Sequence, residues 1–285
     1  MQEPKGQHFI PEMLLCRFTD ENGKLYCFRK DSPDKVFEST PKNAFKKRHL
    51  HTQFNEHGEK DFSVETELSK LEGQADEAIE KIIQAARLGR PPSLTSNEKK
   101  VWDNFLGRQW VRTLKHRDEM QNPAFIAEAL TNFENDVRPL TDDEREKFND
   151  PKEQPRLMKN IWARNVVGTP NPELIEILEK KGVEIRKILS PKWSFIIGSY
   201  PILIVHVTQS EGTDIRDTNV GVLLPISHDV IVTAAFSHGE ERFVEIDEML
   251  EIRQINKAIF NQSDMIAGRS RELIESLAGV RKKSV

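Results

Sequence analysis

Apolar positions recur at three- and four-residue spacing through residues 61–182, which is the period of an amphipathic helix. The first such run contains Val64, Leu68, Leu71, Ala75, Ala78 and Ile79. Thr95 and Thr141 are each followed three residues later by a glutamate, the pattern of a capping box. Asn122 and Asp150 each precede a proline, which suits the first turn of a helix. The pattern therefore predicts a block of helices over residues 61–182.

The flanking stretches show shorter apolar runs separated by turn signals. Residues 24–29 and 36–38 are predicted to form a hairpin, after a short helix that starts at Pro11. Beyond the block, the predicted strands are Trp193–Ile197, Ile202–Thr208, Gly221–Leu224 and Val230–Thr233. A helix from Asp247 and a last helix over Asp264–Leu277 are predicted to follow.

Helices and strands are thus segregated along the chain instead of alternating, which favours an α+β fold. We expect the helical block to pack on a small, mostly antiparallel sheet formed by N- and C-terminal segments. A single domain over residues 1–285 is expected, made of stretches 1–60, 61–182 and 183–285.

Composition narrows the classes of function. The 285 residues include 42 Lys plus Arg and 46 Asp plus Glu, a net charge of −4, which argues against a protein that coats nucleic acid over its whole surface. Two cysteines are too few for a disulfide framework or a cysteine-rich zinc site. The longest apolar run, Ile202–Val205, is far shorter than a membrane span, and no signal-peptide pattern opens the chain. The cytoplasm is the predicted location.

Several short motifs occur in a recognisable order. They are Gln7-His8-Phe9-Ile10-Pro11 before Leu14, Leu15 and Phe18; Val64-Glu65 with Leu68 and Glu72; Phe105-Leu106 with Arg108-Gln109 and Arg112-Thr113; Leu224-Pro225-Ile226-Ser227; and Asn256 and Arg269. As a set, they resemble an uncharacterised bacterial family known as domain of unknown function 4238. The resemblance spans nearly the whole chain.

The resemblance implies positions of interest but no chemistry, because that family has no assigned activity. One motif departs from it. The family usually carries Ser/Thr-Asp-Asn-Pro at a strand end, whereas this chain has Gly198-Ser199-Tyr200-Pro201, without the aspartate. An activity that needs this carboxylate in relatives is therefore in doubt here.

Five residues form the candidate catalytic site: His8, Ser199, His228, Asn256 and Arg269. His8 precedes a helix start, where the positive helix end favours a neutral imidazole that can act as base, donor or ligand. The competing interpretation is a histidine that ties the N-terminus to the sheet. For Ser199 the alternative is a plain turn, and for His228 it is a turn histidine without a catalytic role.

Candidate nucleic-acid-binding residues are Lys46, Lys47, Arg48, Arg108 and Arg112. The two arginines at 108 and 112 lie among aromatic residues, which suits a nucleic-acid face. The competing interpretation is that the aromatic residues form core and the arginines bridge neighbouring helices, which is the more common arrangement. The sequence has neither the spacing of a metal-ligand motif nor a Gly-rich phosphate loop, so it indicates no particular metal and no particular cofactor.

Two functions from different classes remain open, and whether the protein is an enzyme is undecided. The first is a binding or sensing domain in a bacterial accessory or defence context. The alternative is a hydrolase, in particular a nuclease acting on RNA or DNA with His8 in the site. The partner is correspondingly a protein or a nucleic acid.

Overall fold

The computed structural model describes residues 6–168, 172–207 and 214–280, apart from the side chain of Asp136. Its helices are α1 (Glu12–Leu15), α2 (Ser63–Arg87), α3 (Ser96–Val111), α4 (Leu114–Glu119), α5 (Pro123–Asp136), α6 (Asp142–Asn149), α7 (Gln154–Val167), α8 (Pro172–Glu179), α9 (Met249–Gln262) and α10 (Arg271–Ala278). Its strands are β1 (Gly6–His8), β2 (Leu25–Arg29), β3 (Phe37–Ser39), β4 (Lys46–Arg48), β5 (Gln53–Phe54), β6 (Lys60–Asp61), β7 (Gly182–Ile188), β8 (Ile197–Gly198), β9 (Leu203–His206), β10 (Val220–Pro225), β11 (Val230–Ala235), β12 (Glu241–Ile246) and β13 (Met265–Gly268).

The predicted α+β class is confirmed, and the strands are divided among several sheets. One sheet has the order β12-β7-β11-β10-β9, in which only the β12–β7 pair is parallel. The other main sheet, β3-β2-β13-β8, is antiparallel and joins strands from both ends of the chain. Two-stranded ribbons β1-β4 and β5-β6 lie outside both sheets.

Helix starts follow the local signals in the sequence. Thr95 and Thr141 both form complete capping boxes, with Glu98 and Glu144 as the reciprocal partners. The Asn122 side chain accepts a hydrogen bond from the Ala124 N–H at the start of α5. These starts hold because each cap satisfies backbone donors that the first turn of a helix leaves unpaired.

The strand predictions were less accurate. The segment predicted as Trp193–Ile197 contributes only Ile197 to β8, because backbone donors before it bond elsewhere: Phe195 N–H donates to the His228 carbonyl and Ile196 N–H to Asn256 Oδ1. β9 is shorter than Ile202–Thr208, whose last residue lies outside the described residues. β7, β12 and β13 were not predicted, and β13 occupies the start of the expected last helix.

Buried apolar side chains from all three stretches belong to one connected cluster. Fully buried members include Leu14 near the N-terminus, Trp102 and Trp162 in the helical block, and Val232 in β11. A continuous core of this kind is what a single domain requires, and we propose that the chain forms one.

Candidate functional site

Arg112 brings together three segments that are far apart in the chain. It caps the C-terminus of α3, and its side chain is almost fully buried. One guanidinium nitrogen pairs with the Glu72 carboxylate of α2, and the other donates to the His8 backbone carbonyl of β1. Because a guanidinium presents several donors in a fixed fork, one side chain can hold two such acceptors.

Two glutamine amides attach the N-terminal segment to the same place. Gln109 Nε2 donates to the Phe9 carbonyl at 3.2 Å. Gln7 Oε1 accepts from the His51 N–H at 2.6 Å. Both glutamines are buried. Buried amides are costly unless they are hydrogen-bonded, so these contacts hold the segment after β1 against α3 and hold β1 against the segment that contains His51.

His51 and Glu65 complete the arrangement. His51 is fully buried, its ring stacks on Trp162 at 5.3 Å between centroids, and its Nδ1 lies 3.1 Å from Glu65 Oε2. Burial lowers the pKa of His51 to about 4, so the imidazole is neutral at pH 7. Burial acts to raise the pKa of Glu65, but the His51 contact and the charge of Arg112 outweigh it and hold that pKa below its usual value. We call Gln7, His51, Glu65, Glu72, Gln109 and Arg112 the Arg112 cluster.

A groove between α2 and α3 opens onto this cluster. Its volume is about 230 Å³. Leu68, Leu71, Val101 and Phe105 give it apolar walls, while Glu72, Arg108, Gln109 and Arg112 give it polar ones. We call it the α2–α3 groove. Its lining combines apolar surface with a few polar groups, which is the composition of small-ligand sites.

Within the described part of the chain, three buried polar atoms in residues that line the groove have no hydrogen-bond partner. They are Arg108 Nε, Gln109 Oε1 and Arg112 Nε. Two are donors and one is an acceptor. Most buried polar atoms in proteins are paired, so these three unpaired atoms in residues of the groove lining are candidates for contact with a polar ligand group.

The five candidate catalytic residues lie in different places. The His8 ring is half-buried, its Nε2 is 3.1 Å from the Pro41 carbonyl, and burial lowers its pKa. Ser199 Oγ accepts from the Asp264 N–H at 3.0 Å and so fixes the approach to β13. Asn256 Nδ2 donates to the Ser194 carbonyl at 2.9 Å. These three polar groups bond to protein backbone at separate points.

His228 and Arg269 do share a cavity, of about 330 Å³, which Arg17 and Arg87 also line. Burial lowers the pKa of His228, and the charge of Arg269 acts in the same direction. His8, Ser199 and Asn256 are not among the residues that line this cavity. The structure therefore brings two of the five together.

The five candidate nucleic-acid-binding residues also separate. Lys46, Lys47 and Arg48 form β4 and are exposed. Arg108 instead donates to backbone carbonyls at the C-terminal end of α7, including that of Val167, and Arg112 is held inside its cluster. Both arginines therefore connect α3 to neighbouring elements, as in the competing interpretation in which arginines bridge helices.

Sequence reasoning missed His51 as a site residue. His51 lies three residues after Arg48, next to the basic run Lys46–Arg48 that was considered only as a candidate nucleic-acid-binding segment. Glu65, Glu72 and Gln109 were recognised only as parts of the family motifs, because nothing in the sequence shows that these segments meet.

In the described ranges, no group of three His, Cys, Asp or Glu side chains is arranged to hold a metal ion. No helix in those same ranges is both long and apolar enough to cross a membrane.

The fold and the site define an α+β protein in which a buried polar cluster lies beneath an open groove. The chain belongs to the family described as protein of unknown function, DUF4238, whose family model matches residues 6–272. No curated protein and no solved structure matches the chain.

Proposed function

We propose that this protein is a ligand-binding domain and that its ligand occupies the α2–α3 groove. The observation that carries the proposal is the convergence of β1, α2 and the end of α3 on Arg112, directly beside the groove. A sensing role in a bacterial accessory or defence setting and a cytoplasmic location stay predictions.

The groove favours a ligand with an apolar body and a carboxylate or amide head group. The apolar walls suit the body. The unpaired Nε groups of Arg108 and Arg112 are donors, which an acceptor oxygen of the head group would satisfy. An amide head group would also supply a donor for Gln109 Oε1.

Titration of fluorinated probes followed by ¹⁹F NMR tests this proposal. We expect saturable binding of 4-fluorobenzoate and 4-fluorobenzamide, and much weaker binding of fluorobenzene, which lacks the head group. Asn104→Trp places a bulky ring at the groove and is expected to abolish probe binding, whereas Lys70→Trp, on the exposed side of α2, is the matched control. Binding that survives Asn104→Trp, or no binding of either polar probe, contradicts the proposal.

A second candidate function, contact with nucleic acid, has one specific observation in its favour. Lys159 on α7 lies 4.3 Å from the centre of the Phe54 ring, next to the exposed β4 lysines. Burial and the charges of Arg117 and Lys47 lower the pKa of Lys159 to about 8. Cations grouped beside an aromatic ring suit a phosphate backbone and its bases.

Fluorescence anisotropy with a single-stranded RNA tests this candidate. We expect salt-dependent binding that weakens in the Lys47→Ala, Lys159→Ala double variant and is unchanged in Lys257→Ala, an exposed lysine on α9. Equal affinity of the double variant and the control would contradict it. The nuclease activity with His8 in the site stays a prediction, to be assayed on the same RNA with His8→Ala.

A further inference from the structure

A second, larger cavity lies on the other side of α3. Its volume is about 800 Å³, inside the ~300–1,000 Å³ range of small-molecule sites. The N-terminal half of α3, the end of α8, the start of β7 and the turn before β12 form its walls. We call it the Asp103 cavity, because Asp103 of α3 is its most deeply buried charged residue.

The Asp103 carboxylate is only half satisfied. Its side chain is fully buried, and Oδ2 accepts from Lys99 Nζ at 2.5 Å. The other oxygen, Oδ1, has no hydrogen-bond partner among the residues that the structure describes. Burial raises the pKa of Asp103 to about 7 even though Lys99 opposes the rise. A buried, unpaired carboxylate oxygen at a cavity wall is a costly feature that a bound donor would relieve.

The charges on the cavity walls are predominantly negative. Four carboxylates line the cavity, those of Asp103, Glu179, Glu240 and Glu241, against the ammonium groups of Lys99 and Lys100. Glu240 is paired with Arg242, which does not line the cavity. The three remaining carboxylates exceed the two ammonium groups by one negative charge when Asp103 is ionised, and a low-dielectric wall strengthens the attraction of that charge for a cation.

The walls of the cavity are fixed in place. The Glu241 carboxylate accepts from the N–H groups of Ser93 and Leu94 at 2.6 and 2.8 Å, which ties the loop before α3 to β12. Gly182 lets β7 approach the turn, since a Cβ there would lie 2.4 Å from the Glu240 carbonyl oxygen. Walls that are already fixed lower the ordering cost of binding a ligand.

We propose that the Asp103 cavity binds a small organic cation with an ammonium or guanidinium group. The cation donates to Asp103 Oδ1 and is balanced by Glu179. Lys99 stays bonded to the other carboxylate oxygen, Oδ2, and to the Leu178 carbonyl. This site is separate from the α2–α3 groove, although Lys100 lines both.

Calorimetric titration with putrescine, a four-carbon diammonium probe, tests the proposal. Its neutral counterpart, 1,4-butanediol, has the same length and flexibility. We expect saturable putrescine binding and affinity for the diol that is weaker by at least about tenfold, since the diol cannot pair with a buried charge. Equal binding of the two probes, or no putrescine binding at millimolar concentration, overturns the proposal.

Three variants locate the binding. Asp103→Asn keeps the volume and an acceptor for Lys99 but removes the charge, and should weaken putrescine binding by at least about tenfold. Glu179→Gln, at a half-buried wall position that does not form the core, should weaken it as well and covers the case in which Asp103→Asn fails to fold. Glu67→Gln, an exposed carboxylate of α2, is the control and should bind as the wild type does. Full affinity in both cavity variants overturns the proposal.

Discussion

At the scale of single residues, Arg112 is the side chain on which the candidate site depends. It contacts Glu72 on α2 and the His8 carbonyl on β1, and its own position is set by α3. Removing it leaves the Glu72 carboxylate and the partly buried His8 carbonyl without their donor. The cost of such a change comes mainly from the groups that are left unpaired.

Arg112→Ala is therefore expected to lower the free energy of unfolding by about 3 kcal/mol. Arg112→Lys should recover only part of this, because a single ammonium cannot reproduce the two-sided fork. Urea denaturation provides the measurement. Arg138→Ala, which breaks an exposed pair with Glu144, is the control and should change stability far less. Equal losses in the two alanine variants would contradict the role given to Arg112.

His51 predicts how stability depends on pH. Its pKa is about 4 in the folded protein, below the ordinary value of 6.5, so the unfolded chain binds the proton more tightly. The contribution of His51 to the free energy of unfolding is fully present above pH 6.5. It is lost as the pH drops toward 4, by roughly 3 kcal/mol in all.

His51→Asn places a side-chain amide near the position of Nδ1 but has no group that titrates. The free energy of unfolding should therefore fall less steeply between pH 6.5 and 4 than it does in the wild type. His57→Asn, at an exposed position, should keep the wild-type slope. Chemical denaturation at a series of pH values measures both slopes. An unchanged slope in His51→Asn would show that other groups cause the pH dependence.

At the scale of elements, signals confined to a few residues were predictable and pairings between distant residues were not. The capping boxes at Thr95 and Thr141 and the β2–β3 hairpin follow from local chemistry, and all three are present. β7 becomes a strand because β11 and β12 pair with its two edges, and β13 because β2 and β8 do. Such pairing overrides the local pattern, which does not reveal the partner strands.

Two glycines allow an element-scale test with opposite signs. Gly182→Ala should destabilise the protein by about 2 kcal/mol, because its Cβ would meet the Glu240 and Ser237 carbonyl oxygens at 2.4 and 2.7 Å. Gly73→Ala, inside α2 with nothing within 4 Å of the new Cβ, should stabilise it by about 0.5–1 kcal/mol. Thermal denaturation measures both changes. If Gly73→Ala destabilised the protein and Gly182→Ala did not, the roles given to the two glycines would be contradicted.

At the scale of the whole molecule, the site exists because one core brings distant segments together. The Arg112–His8 contact spans 104 residues, and Arg112–Glu72 spans 40. Sequence analysis identified these segments one by one through a resemblance, but their meeting is a property of the helical block packed against β1. His51 shows the limit most clearly, since its role depends on Trp162, more than a hundred residues away.

The most direct test of the ligand-binding proposal is a map of NMR shifts upon addition of 4-fluorobenzamide. The Gln109 side-chain amide is the key reporter, because its Nε2 donates to the Phe9 carbonyl while its Oε1 has no hydrogen-bond partner in the described ranges. We predict saturable shifts of this amide together with the methyl groups of Leu68, Leu71 and Val101, and none in β9 or β10. Shifts that leave the Gln109 amide unchanged, or that cluster elsewhere, would contradict a binding site in the α2–α3 groove.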